Sequence, residues 1–152
     1  MNPFISDYKT RLHQWKQLRD QIKQTPDPDV KIDTCLAFWK QAPEEHVRID
    51  WDNCQDWPGA WDLLHINAYC TSCHSLGIAY TLMLADSETF PNVQLKLLWD
   101  KPHSVQRIVA ETHGYCLNWG YVDKTALHLL NHVLVQNTWE WHHKQWISTR
   151  PK

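Results

Sequence analysis

The chain has 152 residues, 43% of them hydrophobic and 21% charged, which is enough to close one core and too apolar for a disordered tail. A net charge of −2 leaves no electrostatic footprint for nucleic acid or for an acidic membrane surface. No apolar run reaches the roughly 18 residues of a membrane-crossing helix. Ten Trp and ten His stand against four Gly, so large rings should dominate the packing and could anchor a protein partner or protein substrate.

The first 42 residues read as two helices. Tyr8, Leu12, Trp15, Leu18 and Ile22 recur at helical spacing within residues 4–24. "TPDPD" makes a turn, Asp29 is a candidate N-cap, and a second helix covers residues 30–41, burying Ile32, Leu36 and Trp39 before Pro43. Residues 42–56 are polar and read as a loop. "WPGAWDLLHI" reads as a short helix, and residues 70–85 as a longer one. Residues 86–92 form a loop. Three segments of strand character follow, at 93–99, 103–111 and 115–122. Their connections are too short for crossover helices, so they should pair antiparallel, with a hairpin turn at Gly114. Leu127, Leu130, Leu134 and Trp141 suggest a last helix over 124–147, ending in "WEWHHKQW", a core-packing end or a docking face. The expected architecture is α+β: helices on a small antiparallel sheet of about three strands, in a single domain over 1–152.

The segment "INAYCTSCHSLGIAYTLMLAD" carries the chemistry. Cys70, Cys73 and His74 spell C-x-x-C-H, the attachment pattern of c-type haem. The N-terminus is interrupted by charges and lacks an apolar signal region, so a cytoplasm is expected, where thiols stay reduced. Haem c needs export, and Met83, the one internal Met, lies on the same helix as the thiols. No cofactor is therefore expected. Zinc would need a second ligand pair; Cys70, Cys73 and His74 with His128 and His132 are weak candidates, the last two also reading as a polar helix face. A third reading is a reactive thiol. Cys70 sits at a helix N-terminus, where the dipole favours thiolate. A cysteine nucleophile also needs a histidine base and a group to orient it. His103 and Asn118 fall on two strands that could be antiparallel neighbours.

The order helix-Cys, strand-His, strand-Asn resembles the transglutaminase-like cysteine proteinase superfamily, in particular its small bacterial members. The matching pieces are "WPGAWDLLHINAYC", "HSVQRIVAE" and "CLNWGYVD", covering residues 57–123, with the first helices (1–42) and the last (124–147) outside. The run "WPGAWDLL…YC…LGIAYTL" also resembles small proteins encoded by tailed bacteriophages. The resemblance implies a papain/transglutaminase-like core with Cys70 as nucleophile, His103 as general base and Asn118 as orienting residue. It implies attack on an amide carbonyl and a thioester passed to water or to an amine. The chain departs from the family in having Ala68-Tyr69 before the Cys, Thr71-Ser72 after it, and Ser104 beside the His. The alternative expectation is a non-catalytic protein of the same fold, serving as a phage structural or assembly component in host cytoplasm or virion. A convergent, solvent-reachable trio would favour the enzyme; a scattered trio would favour the alternative.

Overall fold

The structure, a computed structural model, describes residues 2–149. Helix α1 (Tyr8–Gln24) starts where the Asp7 carboxylate accepts the Thr10 N–H at 2.8 Å. It starts later than expected because Pro3–Ile5 forms its own 3-10 turn, capped by Asn2. Helix α2 (Pro28–Trp39) is capped by Asp27, not Asp29. Pro28 lacks an N–H and suits the first helical position, and Asp29 then sits in the first turn. Helix α3 (Ala60–Ile66) ends at Asn67, whose φ of 55° is the left-handed stop that Asn tolerates. Helix α4 (Thr71–Ala85) is buried over most of its circumference, because α1, α2 and α3 pack around it and its remaining face lies on the sheet.

Polar groups fix this helical layer as firmly as apolar ones. The Thr81 hydroxyl accepts the indole N–H of Trp15 (3.0 Å) and of Trp39 (2.9 Å) and donates to the Gly77 carbonyl (2.6 Å). Two buried Trp rings thus lose no hydrogen bond on leaving water. Gly77 is what lets Trp39 in: a Cβ there would lie 2.5 Å from the indole. At the other end of α4, Lys31 Nζ donates to Asp86 (2.9 Å) and to the Ile22 carbonyl (2.6 Å), all within the core boundary. Thr89 and Lys31 hold the Asp86 carboxyl well below the usual carboxylate range.

The sheet has six strands: β1 (Gln94–Asp100), β2 (Val105–Thr112), β3 (Tyr115–Leu117), β4 (Lys124–Ala126), β5 (Leu134–His142) and β6 (Gln145–Ser148). Their spatial order is β4-β3-β2-β1-β5-β6, and every neighbouring pair is antiparallel. His113 (φ 52°) and Gly114 (φ 79°) form the two-residue turn between β2 and β3, the positive-φ pair that matches strand twist. Side chains alternate between faces. Leu95, Leu97, Ile108, Ala110 and Trp139 face the helices, and Leu98, Val109 and Cys116 form a small second cluster on the opposite face.

The expected helix over 124–147 does not exist, and the sheet has twice the expected three strands. Residues 127–130 make a 3-10 turn, and residues 134–148 form the β5–β6 hairpin around His143 (φ 50°) and Lys144 (φ 63°). The leucines at helical spacing were misleading. The aromatic run Thr138 to Trp141 suits a pleated surface, and β1 has a free edge that β5 fills. Trp146 is no docking residue: it is 4% exposed, and its indole N–H donates to the Tyr80 hydroxyl at 2.9 Å.

Candidate functional site

Cys70 is the N-cap of α4, and its sulfur takes the place of the usual capping oxygen. It accepts the Cys73 backbone N–H at 3.4 Å, and the nearby N–H groups of Ser72 and Ile49 add to the stabilisation of its thiolate. The Cys70 and Cys73 sulfurs lie 3.3 Å apart in hydrogen-bond contact, and once Cys70 is a thiolate the Cys73 thiol is the donor between them. These donors, the Cys73 thiol foremost, hold the Cys70 thiol below its ordinary value despite partial burial. For the same reason the Cys73 thiol is pushed far up: its proton is held by Cys70 and it is itself buried.

Cys70 opens into a cavity of about 570 Å³. The segment 42–56 forms the opposite wall. It is tied across the helix end by the Glu45 N–H donating to the Tyr69 carbonyl (2.7 Å) and the Trp51 indole donating to Ser72 Oγ (3.1 Å). The cavity lining includes Glu44, His46, Arg48 and Trp51 from this segment, with Gln106 and Arg107 from β2. Gln106 shares the helix-facing side of β2 with Ile108 and Ala110, and its side-chain amide, which donates to Gln136 Oε1, lies in the cavity wall.

Cys70 and Asn118 are both at the N-terminal turn of α4. Asn118 Nδ2 donates to the Thr71 carbonyl (3.0 Å) and to Ser75 Oγ (2.9 Å), and its Oδ1 accepts the Val122 N–H (2.9 Å). With φ at 77° it ends β3 and turns the chain back over the helix. Its two Nδ2 bonds clamp sheet to helix, its Oδ1 bond holds the β3–β4 connection, and none of these goes to an imidazole. His103 is elsewhere. It lies in the β1–β2 turn, exposed, with Nδ1 2.9 Å from the Asp100 carboxylate, and His132 lies 3.6 Å from the same carboxylate. Asp100 shares its face of β1 with Leu98, the face away from α4. His103 does not line the cavity at Cys70, and the expected trio does not converge.

The zinc reading loses its geometric basis too. His128 lies in a 3-10 turn and His132 beside Asp100, so they are not one helical turn apart on a helix face. Both His74 ring nitrogens face carbonyl oxygens, of Cys70 (2.9 Å) and Ala42 (3.1 Å). Among the described residues, no group of three or more His, Cys, Asp or Glu could hold a metal ion. Sequence reasoning missed the 42–56 wall. Its one legible signal was Trp51, a large ring in an otherwise polar loop, which needed something to cover.

No protein-family model and no curated protein matches the chain. Solved structures do. Legionella pneumophila LapG, a transglutaminase-like cysteine protease, matches with TM-score 0.65 at 13% identity, over 92% of this chain and 80% of that one. Its calcium-bound form matches with TM-score 0.68 at 12% identity, over 97% and 82%. Its EGTA-treated form matches with TM-score 0.66 at 12% identity, over 95% and 83%. At this identity the likeness is one of fold: helices on an antiparallel sheet, LapG-like and papain-like.

Proposed function

We propose that the chain is a thiol-dependent hydrolase or acyltransferase acting on an amide, with Cys70 as nucleophile. The observation that carries this reading is the Cys70 sulfur itself, capped by backbone N–H groups at a helix N-terminus and facing a polar cavity. The thiolate attacks the amide carbonyl, the new S–C bond forms, and the C–N bond breaks. The leaving amine needs a proton. Of the residues lining the cavity, the one imidazole is His46, and we assign it that role in place of His103. In the second half-reaction His46 takes a proton from water or from an acceptor amine as it attacks the thioester. Asn118 acts as a positioning residue, fixing the helix end that carries Cys70.

An activated ester tests this. Turnover with an acyl adduct trapped on Cys70, abolished in Cys70→Ser, supports the reading. With an amide substrate, His46→Ala should slow acylation about a hundredfold or more, and His103→Ala should not. The separation of His103 from Cys70 favours a second reading, a non-catalytic protein-binding component of the same fold, for instance in phage assembly. Absence of any Cys70 acyl adduct would favour it.

A further inference from the structure

We infer that Cys70 and Cys73 are a reversible dithiol–disulfide pair, with Cys70 the attacking sulfur, Cys73 the resolving one, and a small-molecule disulfide such as glutathione disulfide as the oxidant. The two residues are the N-cap and third position of α4, so they share one helix face. Their sulfurs are already in contact at 3.3 Å, within a short approach of the roughly 2.05 Å bond. Accessibility sets the order of events. Both residues are largely buried, but Cys70 (9% exposed) lines the open cavity, whereas Cys73 (3% exposed) does not. The other three cysteines lie apart: Cys35 against the Ile78 carbonyl, Cys54 against the Trp146 carbonyl, and Cys116 in the cluster beyond the sheet.

The chemistry balances with that oxidant alone. The Cys70 thiolate attacks one sulfur of glutathione disulfide; a mixed disulfide forms and one glutathione thiolate leaves. Cys73 then attacks Cys70 Sγ, its proton passing to the departing second glutathione. The two cysteines lose two electrons, and one glutathione disulfide becomes two glutathiones. The donor set on Cys70 favours the first step, since thiolate is the attacking species. Closing the bond removes the sulfur that the proposed acyl transfer needs, so oxidation would switch that activity off. This consequence rests on the proposed function; the disulfide does not.

The experiment equilibrates the full chain in glutathione redox buffers, quenches with acid, alkylates free thiols and reads intact mass and peptides. The expected result is loss of two thiols as an internal Cys70–Cys73 bond in the wild type. Cys73→Ser should instead stop at a stable glutathione adduct on Cys70, and Cys70→Ser should leave Cys73 unmodified. A wild type that accumulates only the mixed disulfide at Cys70, or that keeps both thiols reduced under oxidising buffer, overturns the inference. An ester assay on the reduced sample runs alongside. If the disulfide forms but the reduced protein shows no acyl adduct, the acyl-transfer reading fails and the dithiol stands.

Discussion

On one face of the sheet, α4 and three further helices close a core around Trp15, Trp39 and Trp139, and the same helix presents Cys70 to a polar cavity. On the other face, among the described residues, the buried apolar cluster is Leu98, Val109 and Cys116, with the buried Asp100 carboxylate beside it paired to the exposed His103. The difference teaches why a histidine and a thiol in family-like order need not make a site. The helix face has a deep scaffold that over-determines the positions of its polar groups. The outer face is thin, and the exposed His103 ring there is held to the buried Asp100 carboxylate by its own turn.

The largest expected contrast is in stability. Trp39→Ala removes a fully buried ring and leaves the Thr81 hydroxyl one donor short, and should cost about 3–5 kcal/mol. Leu98→Ala in the small cluster should cost about 2 kcal/mol, where the thin layer can collapse. Urea midpoints at constant slope check this, and equal losses would mean that the faces are equally structural.

Lys31→Ala comes next, at about 3 kcal/mol, because it takes the buried cation from the Asp86 carboxylate and leaves it the Thr89 hydrogen bonds and the more distant, exposed Lys23. Asp86 also sets an acid limit. Its folded pKa lies below the unfolded value near 4. The stability it supplies is therefore complete above about pH 5 and is lost as pH falls through 4 toward the folded value. Urea midpoints from pH 6 to pH 3 should fall in the wild type and fall less in Asp86→Asn. Parallel slopes would show that Asp86 is not the group responsible.

How much of this contrast was legible in the sequence depended on the element. Helix α4 was legible, because a capping position preceded a long apolar run, and so was the thiol at its start. The β2–β3 hairpin was legible from His113-Gly114. Strands β5 and β6 were not, because Leu127, Leu130 and Leu134 imitate a helix stripe, and only pairing with β1 decides between the two periods. His103 was misplaced for a reason peculiar to strands. Successive side chains point to opposite faces, so a residue near a strand end goes to one side or the other on a shift of one position. Here the turn carries His103 to Asp100, and Gln106 faces the cavity.

A smaller effect separates the two neighbouring thiols. Iodoacetamide at neutral pH should label Cys70 well before Cys73, because Cys73 is buried and its proton is held. Faster labelling of Cys73 would reverse the assignment of attacking sulfur. The smallest effect is expected at the outer face: His103→Ala should change stability by no more than about 0.5 kcal/mol, which a urea midpoint resolves.

The most direct measurement of the central claim, that the Cys73 thiol and the neighbouring backbone N–H groups, and not His103, activate Cys70, is the pH dependence of Cys70 alkylation in the wild type and in His103→Ala. One and the same midpoint is expected in both, below the roughly 8.5 of a free thiol, because the groups that lower it are the Cys73 thiol and the N–H groups of Cys73, Ser72 and Ile49. A midpoint that rises to the free-thiol value when His103 is removed would contradict it, and would place that imidazole beside the sulfur.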